Sequence, residues 1–235
     1  MQIQQRLERS DPTAKQWYPK ILDLASHPET EFRLTTAWLM GFDSQSGEFH
    51  QSLLKLVRDP EPIVRRNAAL ALVRFSDPSG RPELVSMLTP YVVTATAEGE
   101  VASTLKEGAT LARGTLLARI TQPDKSTVEL RSPLPGKLER IISSSGSKVV
   151  PGAALMTINS DEDSLWEALR GLALIGDAQD MPAIEPYANG SAASSDRIKQ
   201  QAVLAIKAIQ GRVKQEDVSL QNRERSDRIL DSTGI

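Results

Sequence analysis

The chain has 235 residues, with 28 Lys and Arg against 30 Asp and Glu and 40% apolar residues. That suits one or two cored domains and gives no overall field favouring nucleic acid or an anionic bilayer. There is no cysteine, which excludes disulfides, thiolate catalysis and Cys-ligated metal. No run of 18 apolar residues exists to span a bilayer, and the first ten residues lack the apolar core of a signal peptide, so the expected location is the cytoplasm.

Residues 1–13 are polar, with Pro12 near a helix start. From Thr13 to Phe75 the periodicity is helical. Trp17, Ile21, Leu22 and Leu24 mark a first helix, and Phe32, Leu34, Trp38 and Met40 a second. Leu53, Leu54, Leu56 and Val57 mark a third, and Ile63, Val64, Ala68, Leu72 and Phe75 a fourth. Ser44-Gln45-Ser46-Gly47 and Asp59-Pro60-Glu61-Pro62 read as the turns between them.

The helices repeat. A shift of 32 takes Phe32, Arg33, Ala37 and Met40 onto Val64, Arg65, Ala69 and Leu72. A shift of 100 takes Ala68, Leu72, Phe75 and Asp77 onto Ala168, Leu172, Ile175 and Asp177, and a further 34 reaches Ala202, Ile206 and Ile209. Paired helices with a period in the thirties predict an α-solenoid. The runs Asp59–Leu70 and Leu165–Asp177 resemble HEAT repeats, a resemblance that implies a protein-binding groove. In such repeats, arginines at the Arg33 and Arg65 positions make structural hydrogen bonds.

Between these helices lies a β motif written twice. Gly99-Glu100-Val101, Leu105, Gly108, Gly114 and Leu116–Ile120 are answered by Gly136-Lys137-Leu138, Ile142, Gly146, Gly152 and Ala154–Ile158, at shifts of 37 and 38. The extra residue falls in the Ser143-Ser144-Ser145 turn. Strands this short bury no face alone, so the copies are expected to pack on each other about a pseudo-twofold axis.

The layout from Tyr91 to Ile158 resembles the biotinyl/lipoyl domain, a barrel-sandwich hybrid. It includes Asp124-Lys125-Ser126 followed by Ser132-Pro133 and Gly136. The resemblance implies that Lys125 is the residue to which lipoate or biotin would be attached. Upstream, Ile120-Thr121-Gln122-Pro123 carries one residue more than lipoyl domains show, and a proline. Asp124 and Ser126 stand where biotinyl domains place methionines. An unmodified relative is therefore expected.

The β stretch replaces the short loop between the two helices of one repeat: the first helix is Pro82–Leu88, and the second resumes at Asp163-Ser164-Leu165. A disordered loop grown from about 6 to about 70 residues would cost roughly 2 kcal/mol of closure entropy. A folded insert whose ends emerge together avoids most of it. The expected class is thus α+β, a HEAT-like α-solenoid over 1–89 and 161–211 interrupted by a barrel-sandwich hybrid over 90–160. The polar segment 212–235 is expected to be a mobile tail, or a helix formed on a partner.

His27 and His50 are isolated, so no metal site or triad is expected. Asp161-Glu162-Asp163 reads as an acidic helix start. Arg65, Arg66, Arg170 and Arg197 are candidates for partner contacts along the second helices. The resulting expectation is a non-enzymatic scaffold for another protein, with no nucleic-acid role. The alternative is a lipoyl or biotin carrier of a multienzyme complex, modified on Lys125.

Overall fold

The computed structural model describes residues 2–9, 11–192 and 195–232, with side chains from Ile3 and, in the last helix, as far as Gln215. Six helices come first: α1 (Gln2–Glu8), α2 (Tyr18–Leu24), α3 (Thr30–Met40), α4 (Gly47–Leu56), α5 (Pro62–Arg74) and α6 (Arg81–Ser86). Eight strands follow: β1 (Tyr91–Thr94), β2 (Gly99–Ala102), β3 (Thr110–Leu111), β4 (Leu116–Thr121), β5 (Thr127–Arg131), β6 (Gly136–Ile141), β7 (Lys148–Val149) and β8 (Ala154–Asn159). The chain then returns to helix in α7 (Glu162–Ile175), α8 (Met181–Ala188) and α9 (Asp196–Ser232).

Local chemistry sets the helix starts. Ser46 Oγ accepts from Phe49 N and opens α4, and Pro62 occupies the first turn of α5, where its missing N–H costs nothing. Asp161 accepts from Ser164 N at 2.8 Å and caps α7, and Glu162 and Asp163 stand in its first turn, so the acidic run is the helix start its composition implied. The second helices of successive pairs lie side by side, α3 on α5, α5 on α7 and α7 on α9. Arg33 and Arg65 sit at equivalent places in this array. Arg33 forks onto Asp59 (2.7 and 3.0 Å) and donates to the carbonyls of His27 and Pro28. Arg65 binds Glu83 (2.9 Å) and the carbonyls of Asp59 and Pro60.

The helices before and after the strands share one core. Leu84, Met87 and Leu88 pack with Leu165, Ala168, Leu169, Leu172 and Ile184. Two polar contacts cross the same gap. Arg81 binds Asp180 through Nε and Nη2 (2.9 and 3.1 Å) and reaches Asp177 at 2.5 Å. The Tyr187 hydroxyl donates to the carbonyl of Leu88 at 2.7 Å. At the neck, β1 pairs with β8, Tyr91 opposite Ile158, so the β segment leaves and rejoins the helices at adjacent points.

The strands form two four-stranded antiparallel sheets, ordered β1-β8-β6-β3 and β5-β4-β2-β7. Exchanging each of β1–β4 with the strand four later converts one order into the other, so the twofold read from the glycine spacing is present in the pairing. One core lies between the sheets, drawn from Val93, Leu138, Leu155 and Ile158 on one side and Val101, Leu117, Ile120 and Leu130 on the other. Ile142, expected in that core, is 49% exposed because it lies one residue past the end of β6.

The segment 212–235, expected as a mobile tail or a helix formed on a partner, continues α9 as far as Ser232; residues 233–235 lie outside the described residues. Its beginning is tied down. Arg212 donates to the carbonyls of Ala173 (2.7 Å), Gly176 (2.8 Å) and Leu172 (3.3 Å), capping the negative end of α7.

Candidate functional site

Two features present chemistry to solvent: the hairpin that carries Lys125, and the groove formed by the second helices. The hairpin joins β4 to β5, with Thr121 opposite Thr127. Lys125 N donates to the carbonyl of Gln122, and Gln122 N to the carbonyl of Ser126, both at 2.9 Å. Pro123, Asp124 and Lys125 thus form a three-residue loop, and Lys125 takes its last position with φ of +68°. In such loops that position is left-handed and favours glycine. The extra residue noted upstream of the lysine is what lengthens the turn.

Side chains brace the loop from within. Asp124 Oδ1 accepts from the Ser126 hydroxyl (2.6 Å) and from Ser126 N (2.9 Å), and these bonds hold its carboxyl below the usual carboxylate range. Below the tip, Glu129 pairs with Arg119 and Arg131, which likewise lower its pKa, Arg131 foremost. Lys125 itself is exposed. Downstream, Ser132 is buried and donates to the carbonyl of Leu134 at 2.6 Å, so the serine of the Ser-Pro pair shapes the turn into β6. A β-carbon in the left-handed region costs about 1 kcal/mol. Lys125→Gly is therefore expected to stabilise the β unit by about 1 kcal/mol in urea unfolding followed by circular dichroism.

The groove, about 310 Å³, runs across α3, α5 and α7 and is lined by Trp38, Asn67, Arg74, Glu167, Arg170 and Leu174. Trp38 and Leu174 are 43% and 58% exposed. Trp38 meets Phe42 edge-on, and the Arg74 guanidinium lies 4.7 Å over the Phe42 ring. Sequence reasoning did not single out Trp38 as a groove residue, though it placed Arg74 among the arginines of the second helices that could line the inner face. A bulky aromatic on a helix already supplied with core residues was the signal.

The structure divides the four candidate arginines. Arg170 and Arg197 come together on the Trp166 ring, at 5.6 and 4.9 Å, with Glu167 and Asp163 as their carboxylates. Arg65 is held by Glu83 as a structural ligand. Arg66 is the correction: at 4% exposed it lies inside the fold, and it cannot meet a partner. Its Nε and Nη1 have no hydrogen-bond partner in the protein, and Glu83 lies 3.9 Å away. Burial works against its charge, opposed by Glu83 and Asp161.

The histidines are structural. His50 Nε2 lies 2.7 Å from Asp77 and its ring stacks on Phe75, while His27 Nδ1 accepts from Glu29 N. Among the described residues no three His, Cys, Asp or Glu side chains converge as a metal site, and no helix is long and apolar enough to cross a membrane.

Comparison with protein families gives two matches. Residues 18–100 match the family described as HEAT repeats, and residues 85–158 that described as Biotin-requiring enzyme. They overlap at 85–100, where helices give way to strands. Comparison with curated proteins gives no match. HEAT repeats typically mediate protein interactions, and biotinyl/lipoyl domains are carriers rather than catalysts. The helical array and the twofold sandwich therefore have separate family counterparts: HEAT repeats over 18–100 and a biotinyl/lipoyl domain over 85–158 are found in the same chain.

Proposed function

We propose that the protein is a non-enzymatic interaction scaffold: a short HEAT-like α-solenoid with an unmodified barrel-sandwich hybrid spliced into one helix pair. In this reading the helices of 1–89 and 161–211 are one body, and 90–160 is the insert. The carrying observation is the open groove across α3, α5 and α7, where Trp38 and Leu174 stand exposed beside Arg74 and Arg170. Exposed aromatic and arginine side chains are the usual anchors of protein contacts. The insert supplies a second surface, and the ion pair between Arg113 in its β3–β4 turn and Glu31 of α3 braces it against the helices.

The second reading is a carrier with lipoate or biotin on Lys125. Exposure of the hairpin tip favours it; the lengthened, left-handed turn disfavours it, because a modifying ligase must read the lysine in a defined turn. No groove or pocket for the free cofactor is invoked, since the group would be held covalently.

Intact-mass measurement on protein from its native host separates the readings. The expected mass is that of the unmodified chain. A lipoyl or biotinyl increment abolished by Lys125→Ala would establish the carrier instead. The scaffold further requires a co-purifying protein that is lost on Trp38→Glu or Arg170→Glu. Retention of every partner by both variants would refute the groove.

A further inference from the structure

The groove across α3, α5 and α7 carries a charge opposite to that of the chain. The whole sequence has a formal net charge of −2. The ionisable residues that line the groove are Arg74, Arg170 and Glu167, two cations against one anion.

These two arginines are held unlike the structural ones. Arg33, Arg65 and Arg81 are each fixed by a carboxylate of the chain, on Asp59, Glu83 and Asp180. Among the described residues Arg74 meets no carboxylate. Its guanidinium lies 4.7 Å over the Phe42 ring, and Nη1 makes one long contact, 3.4 Å, to the Gly41 carbonyl. Arg170 lies 5.6 Å from the Trp166 ring centre and 3.4 Å from Glu167, an exposed pair that a better-placed carboxylate can displace. A guanidinium seated on a ring face keeps its in-plane N–H donors free, and a carboxylate binds bidentately in that plane. The stacking also fixes the side chain in advance, so less freedom is lost on binding.

The rest of the groove is apolar and cannot be filled from within. Trp38 and Leu174 stand half-exposed on the helices either side of α5. Ala71 is buried in the floor, and a β-carbon on Gly41 would meet it at 3.1 Å. One on Gly171 would meet Leu84 at 2.9 Å. With neighbouring helices 8–10 Å apart, three of them span about 20 Å, the reach of about six extended residues. A nucleic-acid backbone suits this surface poorly. It needs a run of cations along one stripe, and here it would set phosphate against Glu167 and leave Leu174 in water.

From the stacked guanidiniums, the positive balance and the apolar walls, we infer that the groove takes an acidic segment of another protein, a large apolar residue flanked by carboxylates. This rests on the scaffold reading and gives its partner a chemistry.

Selection of a random phage-displayed peptide library on the full chain tests it, after removal of peptides that bind the Arg74→Glu, Arg170→Glu double variant. The selected peptides are expected to carry net negative charge and an apolar residue between acidic ones. In fluorescence anisotropy, Arg74→Gln and Arg170→Gln are each expected to weaken a selected peptide about 10-fold. Exchanging its Glu residues for Gln should weaken it as much, and rising salt should weaken it further. Both arginines are exposed, and thermal melts report whether the variants keep the fold. Neutral or basic peptides overturn the inference, as does a selection that yields no groove-dependent peptide. Displacement of the peptide by an equal concentration of single-stranded oligonucleotide overturns it too. The scaffold reading is decided separately, by co-purification from the native host, and survives a partner whose docking segment is neutral.

Discussion

Gly136→Ala is expected to lower the stability of the β unit by about 3 kcal/mol, and Gly99→Ala by a similar amount. The two glycines are twofold mates at the starts of β6 and β2. A β-carbon at Gly136 would fall inside the contact radius of the Asn159 carbonyl oxygen, and one at Gly99 inside that of Thr121. In both cases the obstacle is the backbone of a paired strand, which cannot rotate away. Gly114 and Gly152 provide the contrast: their φ values are +83° and +87°, but a β-carbon there meets open space. Alanine at either is expected to cost about 1 kcal/mol. Urea unfolding with hydrogen exchange over 91–159 checks the series. Equal effects at all four positions would refute the close-approach account.

Arg81→Ala is expected to destabilise the helical array by about 3 kcal/mol, because Asp180 then stays buried without its charge partner. Asp180 is 6% exposed and accepts both forks of the guanidinium, while Asp177 takes the third nitrogen. Asp180 also accepts from the Asp177 N–H, so its carboxylate closes the turn that starts α8. Arg81→Lys is expected to recover less than half of the loss, since an ammonium cannot reproduce the planar fork. Removing Arg119, in an exposed pair with Glu129, should leave stability nearly unchanged. Thermal unfolding followed by Trp166 fluorescence reads these effects. The Arg81 pair spans the β segment, so the unfolding of α5 and α7 should shift together. A shift confined to α8 and α9 would argue that the helices on the two sides are independent bodies.

Much of the architecture is written locally. Glycines recurring at 37 and 38 residues mark turns and close approaches that other side chains cannot occupy, and apolar alternation between them marks the faces that must meet. The same holds for the helices, where Ala, Leu and Arg recur at a period in the thirties and Asp-Pro turns separate them. The break in that period at Pro90 locates the strands between α6 and α7. The turn at Lys125 was legible in part: its extra residue and proline were visible, but the left-handed backbone of the lysine was not.

What the sequence by itself determined is which residues form elements and which of them repeat, because those follow from backbone geometry and hydrophobic period. Only the tertiary structure decided that Arg66 is buried beside Glu83 while Arg170 and Arg197 meet on Trp166, and that Arg212 docks a segment whose composition reads as tail. It also decided that Trp17 and Phe32, which look like core residues, stand 42% and 40% exposed. Periodicity gives a helix its stripe but does not say what covers it, and a charge finds its partner through contacts between residues far apart in the chain.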